Sequence, residues 1–94
     1  MSRTLIIAEH DGVALNAATA KTLSAALAIG HPVDIAVLAA DANAIAGQAS
    51  ALRGVERVLT VERSENAHPL AAVLAPQIAA LAADYSHLLM PSTT

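Results

Sequence analysis

The sequence lacks cysteine, phenylalanine and tryptophan, and Tyr85 is its single tyrosine. Without a thiol, these 94 residues can form no disulfide, thiol redox centre or thiolate metal site. A chain of this length makes one small domain. Although 55% of the residues are hydrophobic, many of them are alanine, so the core volume must come from leucine, isoleucine and valine. This composition favours thin layers of helices packed on a sheet.

Excess positive charge and long apolar runs are also missing. Five lysines and arginines stand against eight acidic residues, for a net charge of −3, so we expect no nucleic-acid partner. The most apolar stretch, residues 67–83, is interrupted by Pro69, Pro76 and Gln77 and is shorter than the roughly 18 residues that span a bilayer. The early apolar run ends at Glu9, too short for a secretory signal. We expect a cytoplasmic protein with no signal or transit peptide and no direct membrane insertion.

Four short apolar segments, residues 4–8, 33–38, 57–61 and 87–90, predict buried strands, and helical patterns fill the three gaps between them. This alternation predicts an α/β fold with a parallel sheet and helices on both faces. Right-handed crossovers then favour a doubly wound sheet in the order 3-2-1-4. Only four residues follow the last strand, so we expect an incomplete domain, the front part of a larger protein.

Several residues predict where the helices begin and end. Asn16 is a plausible N-cap of the first helix, and Gly30 should end it in a left-handed conformation. Asp41 or Asn43 can cap the second helix. Pro76 lies inside the third helical pattern and is expected to kink it or divide it in two. The inward face of the second helix is predicted to be Ile45, Ala49 and Leu52. The charged segment 62–66 is interpreted as a solvated connection.

The order 3-2-1-4 predicts a ligand crevice beyond the carboxyl ends of the first and fourth strands. Glu9 and His10 follow the first strand, and Ser92, Thr93 and Thr94 follow the fourth. These five residues are the candidate cofactor-binding residues of the crevice. The hydroxyl and backbone N–H groups after the fourth strand could bind an anion or cap a following helix, and both interpretations are compatible.

Motifs for phosphate binding and catalysis are absent. The first strand is followed by no G-x-G-x-x-G, and the chain contains no P-loop and no G-x-S-x-G. Glu9 and Asp11 in the first turn would repel a phosphate. None of the four histidines has a second histidine three or four positions away, so no metal site is predicted. Glu9, His10 and Asp11 are better interpreted as an exposed turn than as a catalytic set, and no catalytic residue is predicted.

Several segments resemble the N-terminal domain of the alpha subunit of electron-transfer flavoprotein. They are residues 4–10 (TLIIAEH), the helical segment 15–30, residues 54–59 (GVERVL) and the closing run 84–94 (DYSHLLMPSTT). The resemblance covers the whole chain and implies an adenine-nucleotide-hydrolase-like, Rossmann-like fold. It implies an electron carrier and not an enzyme. Such a carrier pairs with a beta subunit, where many members bind AMP. It takes electrons from flavin dehydrogenases of fatty-acid and amino-acid oxidation and passes them to a membrane quinone oxidoreductase.

The resemblance also implies where the flavin is held. In the family, FAD lies mainly in the C-terminal domain of the alpha subunit, after a Gly-Lys-Asn-type helix start and a Pro-Arg motif. None of these features occurs in this sequence. Residues 1–94 are therefore expected to be the N-terminal part of the alpha-subunit domain, with the FAD-binding domain absent and no flavin bound to this chain.

Two other function classes remain open from the residues. A stand-alone adenine-nucleotide-binding module of the universal-stress type shares this architecture, but it would need a glycine-rich phosphate loop after the fourth strand. A small enzyme using Glu9, His10 and Asp11 is the third hypothesis, and it lacks a nucleophile or metal motif.

Overall fold

The computed structural model describes residues 2–67 and 71–90, in which strands and helices alternate as the sequence predicts. The strands are β1 (Thr4–Ile7), β2 (Val33–Ala39), β3 (Val55–Glu62) and β4 (His87–Leu89). The helices are α1 (Ala17–Ile29), α2 (Asn43–Ser50) and α3 (Ala71–Ala82), and a short 3₁₀ turn at Ser64–Ala67 precedes α3. None of the helices in these two ranges is both long and apolar enough to cross a bilayer.

The four strands form one parallel sheet in the order β3-β2-β1-β4, which confirms the predicted α/β fold and strand order. Thr4 of β1 lies opposite Val33 of β2 on one side and His87 of β4 on the other. Every residue of β2 is buried. β3 runs longer than predicted, because its ladder with β2 continues until Ala39 lies opposite Glu62.

The sheet separates two apolar layers, because successive side chains of a strand point to opposite faces. On one face, α1 and α2 pack on Ile6 of β1, on Ala8 just after it, and on Val33, Ile35, Val37 and Ala39 of β2. On the other face, α3 covers Leu5 and Ile7 of β1 and Ala36 and Leu38 of β2. Leucine, isoleucine and valine supply most of the volume of both layers, as the composition predicts.

The predicted helix ends are largely confirmed. The Asn16 side chain accepts a hydrogen bond from the Ala18 N–H at 2.8 Å, and Gly30 ends α1 with φ of 92°. The prediction that Asp41 or Asn43 caps α2 is wrong, because the N-cap is Ala42, which makes no side-chain capping bond. Asp41, one residue earlier, accepts the Asn43 N–H at 3.0 Å. Within α2, Ile45 and Ala49 are buried and Leu52 just beyond it is half-buried, as predicted.

Of the two outcomes expected at Pro76, the divided helix is wrong, because α3 continues through it as one helix from Ala71 to Ala82, and the kink stays a prediction. Pro76 is exposed, so its ring lies away from the sheet. Leu74 before it and Ile78 after it both pack on the sheet. This packing on either side offsets the hydrogen bond that proline removes.

Candidate functional site

Of the five residues predicted to form the crevice, the described part of the chain includes two. Glu9 and His10 follow β1 at the carboxyl edge of the sheet and are both half-buried. Ser92, Thr93 and Thr94 lie outside the described residues, so a crevice between the two groups stays a prediction.

His10 is held by hydrogen bonds at both ring nitrogens. Its Nδ1 lies 3.0 Å from the Gly12 backbone nitrogen and accepts that N–H. The neutral ring therefore carries its proton on Nε2, which donates to the Leu38 carbonyl at 2.9 Å. Because both nitrogens are used, His10 ties the turn after β1 to the end of β2 and is not free to act as a base or a metal ligand.

The residues on either side of His10 also accept hydrogen bonds, Asp11 through its carboxylate and Glu9 through its backbone carbonyl. The Asp11 carboxylate accepts the Ala14 N–H at 2.7 Å and the Val13 N–H at 2.9 Å, and these bonds lower the pKa of Asp11. The Glu9 carbonyl accepts the Asn16 N–H at 2.7 Å. Glu9, His10 and Asp11 thus form a hydrogen-bonded turn, as interpreted from the sequence, but Glu9 and His10 are half-buried and only Asp11 is exposed.

This turn uses its backbone donors internally, which bears directly on phosphate binding. Six successive N–H groups donate within the protein: Asp11 to Ala14, Gly12 to His10, Val13 and Ala14 to Asp11, Leu15 to Gln48, and Asn16 to Glu9. A phosphate-binding turn instead aims its free N–H groups at the anion. The turn after β1 therefore offers no amide cradle to a nucleotide diphosphate.

A cavity of about 360 Å³ lies at the carboxyl edge, next to this turn. It is lined by His10, Asp11, Gly12, Ala39, Ala40, Asp41, Asn66 and Ala67. These residues lie at or after the ends of β1, β2 and β3, so the cavity lies on the β2 side of β1, whereas the crevice was expected on the β4 side. The volume is in the range of small-molecule pockets, but the two charged lining residues are both acidic. The lining does not suit an anionic ligand.

Asn66 fixes the wall of this cavity to α3. Its Nδ2 donates to the Gln77 Oε1 at 3.0 Å, and the Gln77 Nε2 donates to the Asn66 Oδ1 at 2.8 Å. The two amides also donate to the Val61 and Val73 carbonyls. Both side chains are buried. The interpretation of segment 62–66 as a solvated connection is therefore wrong for Asn66, because a partner in a later helix satisfies its amide.

Replacing Gln77 by leucine is expected to lower the free energy of unfolding by about 1–3 kcal/mol, because the buried Asn66 amide loses its partner. Gln48→Leu is the matched control. The Gln48 side chain makes two hydrogen bonds, against three for Gln77, but it is exposed, so water can replace them. Urea unfolding followed by circular dichroism measures both variants. Equal losses for Gln77→Leu and Gln48→Leu would contradict a specific role for the buried pair.

A second polar cluster lies at the opposite, amino end of the sheet and was not predicted from the sequence. Asp34 of β2 is fully buried. Its carboxylate accepts hydrogen bonds from Arg3 at 2.8 and 3.2 Å, from Arg57 at 2.8 and 3.2 Å, and from the Tyr85 hydroxyl at 2.6 Å. Arg3 also pairs with Glu56 at 3.2 Å. These five residues, named here the Asp34 cluster, join β2 and β3 to the residue before β1 and to the segment before β4.

The Asp34 cluster holds its central carboxylate in the ionised form. Burial alone would raise the pKa of Asp34, but the hydrogen bonds from Arg3, Arg57 and Tyr85 outweigh it and lower that pKa to about 2. The same contacts raise the pKa of Arg3, and burial followed by the Asp34 bond raises the pKa of Tyr85. At neutral pH the cluster is an anchor between strands with no group poised to transfer a proton.

The family model and the known proteins to which this chain is similar carry the same family name. The family described as "Electron transfer flavoprotein domain" matches residues 4–94. The chain is 43% identical over 90 residues to the "Electron transfer flavoprotein subunit alpha" of Pseudomonas aeruginosa, covering 96% of this chain and 29% of that protein. It is 42% identical over 91 residues to the same subunit of Paracoccus denitrificans, with the same coverage. It is 34% identical over 80 residues to the "Probable electron transfer flavoprotein subunit alpha, mitochondrial" of Caenorhabditis elegans, covering 85% of this chain and 24% of that protein. The chain thus spans less than a third of the length of these relatives.

Proposed function

The chain belongs to the electron transfer flavoprotein family, and from this premise we propose that it forms the N-terminal part of the alpha subunit of an electron carrier. In this proposal the alpha subunit pairs with a beta subunit. The heterodimer accepts electrons from flavin dehydrogenases and delivers them to a membrane quinone oxidoreductase. The observation that carries the proposal is the match over residues 4–94 to proteins named as this subunit.

We propose that the FAD of this carrier is bound outside residues 1–94. The described residues do not fit a flavin diphosphate, because the turn after β1 uses its N–H groups internally. The neighbouring cavity is lined by two aspartates and by no arginine or lysine. These features support a role for the chain as a packed scaffold that meets the partner subunit.

The same contacts argue against the two other function classes. A small enzyme would need a free base at the carboxyl edge, and both ring nitrogens of His10 are engaged. A stand-alone adenine-nucleotide-binding module would need donors or cations for phosphate, which the turn after β1 and the lining of the neighbouring cavity do not offer. The electron-carrier proposal requires neither feature of this chain.

A chimera tests the proposal. Residues 4–94 would replace the matching segment of the Pseudomonas aeruginosa alpha subunit, co-expressed with the beta subunit of that organism. We expect the chimera to co-purify with the beta subunit, to contain FAD and to be reduced by a flavin dehydrogenase. An unrelated α/β domain of similar length, placed at the same position, is the negative control and should fail to assemble. A folded chimera that does not pair with the beta subunit would overturn the proposal.

The isolated chain tests the proposed place of the flavin. After incubation with FAD and gel filtration, we expect the protein peak to carry no flavin absorbance. A yellow protein peak would show that these 94 residues hold the flavin themselves, whatever the outcome of the chimera.

A further inference from the structure

His10 connects two parts of the carboxyl edge through its two ring nitrogens. Its Nδ1 accepts the N–H of Gly12, in the turn after β1, at 3.0 Å. Its Nε2 donates to the carbonyl of Leu38, 28 positions away in β2, at 2.9 Å. A backbone N–H and a carbonyl are satisfied together only by the neutral ring with its proton on Nε2. The two contacts therefore require one tautomer and one charge state.

The two hydrogen bonds respond in opposite ways when the ring takes up a proton. The added proton goes to Nδ1, because Nε2 already carries one. Nδ1 then becomes a donor that faces the Gly12 N–H, which is also a donor, so this hydrogen bond is lost. The bond from Nε2 to the Leu38 carbonyl remains and is strengthened, since its donor is now charged. Protonation thus releases the turn while the ring stays attached to β2.

The rest of the turn is held by groups that keep their charge over the range in which imidazole titrates. The Asp11 carboxylate accepts the Val13 and Ala14 N–H groups, and these bonds lower its pKa further. The Gln48 amide accepts the Leu15 N–H and donates to the Val13 carbonyl. Gly12 lies before these fixed points with a φ of 92°, and as a glycine it can adopt other conformations at little cost. Loss of the His10 bond is therefore expected to free Gly12 and to leave the remainder of the turn in place.

The charged groups around His10 are acidic in the part of the chain that the structure describes. They are Glu9 and Asp11 on either side of it, Asp41 across the cavity, and Glu62 at the end of β3, which binds the Ala42 N–H. The groups that face the turn from α1, α2 and the segment after β3 are the uncharged Thr19, Gln48 and Asn66. These carboxylates attract a proton to the ring, whereas the Gly12 bond favours the neutral ring. The pH therefore decides which of the two states is populated.

We propose that His10 is a pH-sensitive switch that fastens Gly12 when its ring is neutral and releases it when the ring is protonated. His10 and Gly12 both line the carboxyl-edge cavity, so the switch acts on the wall of that cavity. In the closed state the Gly12 N–H is used internally. In the open state the cavity wall gains one free N–H donor and one positive charge.

Nuclear magnetic resonance of the unaltered chain, labelled with nitrogen-15, tests the switch directly. At about pH 8 we expect the Nε2–H tautomer of His10 and a scalar coupling between its Nδ1 and the Gly12 amide nitrogen, across their hydrogen bond. Once the ring has titrated, at about pH 5, the coupling should vanish and the protection of the Gly12 amide against hydrogen exchange should fall about fivefold, as expected for one lost hydrogen bond. Asp34 stays ionised at both pH values, because its pKa is about 2. A coupling that persists on the protonated ring, or an Nδ1–H tautomer of the neutral ring, would overturn the proposal.

Two substitutions separate the roles of the two ring nitrogens. His10→Asn keeps a side-chain acceptor for the N–H two residues later but cannot be protonated, so Gly12 should be equally protected at about pH 8 and about pH 5. His10→Gln keeps an amide donor near the position of Nε2 but has no acceptor near Gly12, so the protection should be low at both pH values. His87→Gln is the matched control, since it removes an exposed imidazole at the opposite end of the sheet, and it should keep the pH dependence of the unaltered chain. A fall in Gly12 protection that survives in His10→Asn, or that is lost in His87→Gln, would assign the pH dependence to another group and contradict the switch.

Discussion

Replacing Asp34 by alanine is expected to lower the free energy of unfolding by about 3 kcal/mol, a large part of the roughly 5–15 kcal/mol of a typical domain. Arg3, whose side chain is 17% exposed, would keep only the exposed Glu56 as a partner for its charge, and the Tyr85 hydroxyl would lose its acceptor. Arg57 is 55% exposed and can be rehydrated, which keeps the loss near the lower end of the range for broken buried ion pairs.

Glu56→Gln is the matched control for Asp34→Ala. Glu56 is the other carboxylate bound to Arg3, but its side chain is 53% exposed, so its removal should cost less than about 1 kcal/mol. Urea unfolding by circular dichroism at neutral pH measures both variants. If the two losses agreed within about 0.5 kcal/mol, a central role of Asp34 would be contradicted.

The strand order could be predicted because it follows from local patterns and one handedness rule. Short apolar segments separated by helical periodicity define β1 to β4, and right-handed crossovers then fix the order 3-2-1-4. Asn16 and Gly30 mark the ends of α1 through their own side-chain and backbone preferences. Each of these signals lies within a few residues of the structure that it predicts.

The clusters that hold the sheet together could not be predicted in the same way, because their members are far apart in the sequence. Asp34 bonds to Arg3 across 31 positions and to Tyr85 across 51. One signal was available, namely a lone aspartate in the otherwise apolar strand Val33–Ala39. A buried carboxylate needs partners, and charged residues at the start of neighbouring strands are the natural ones.

At the carboxyl edge, the sequence predicts the position of the turn after β1 but not whether its N–H groups are free. Its position after β1 places Glu9 and His10 at the edge where parallel sheets bind ligands, and that position was predicted. Whether the turn offers free N–H groups depends on acceptors such as the Gln48 side chain, 33 residues away. Composition alone could argue only that Glu9 and Asp11 disfavour phosphate. The hydrogen bonds of the structure give a second reason against phosphate binding, because the N–H groups of this turn already donate to acceptors within the protein.

Acid is expected to remove the stabilisation that Asp34 supplies, over a window set by its pKa. That pKa is about 2 in the folded protein and about 3.9 for an ordinary aspartate, so the unfolded chain binds the proton first as the pH falls. The contribution is therefore complete above about pH 4 and declines as the pH falls through about 2. Its size is about 2–3 kcal/mol, since one pKa unit corresponds to about 1.4 kcal/mol.

Asp34→Asn isolates this contribution, because asparagine cannot be protonated in that range while the other carboxylates remain. Asp11, whose pKa is also lowered, is present in both proteins and cancels from the comparison. The free energy of unfolding of each protein would be measured by urea titration at several pH values between about 2 and 6. We expect the unaltered chain to lose about 2–3 kcal/mol more than Asp34→Asn as the pH falls through the window. Parallel curves for the two proteins would show that the Asp34 carboxylate is not stabilised in its ionised form by Arg3, Arg57 and Tyr85.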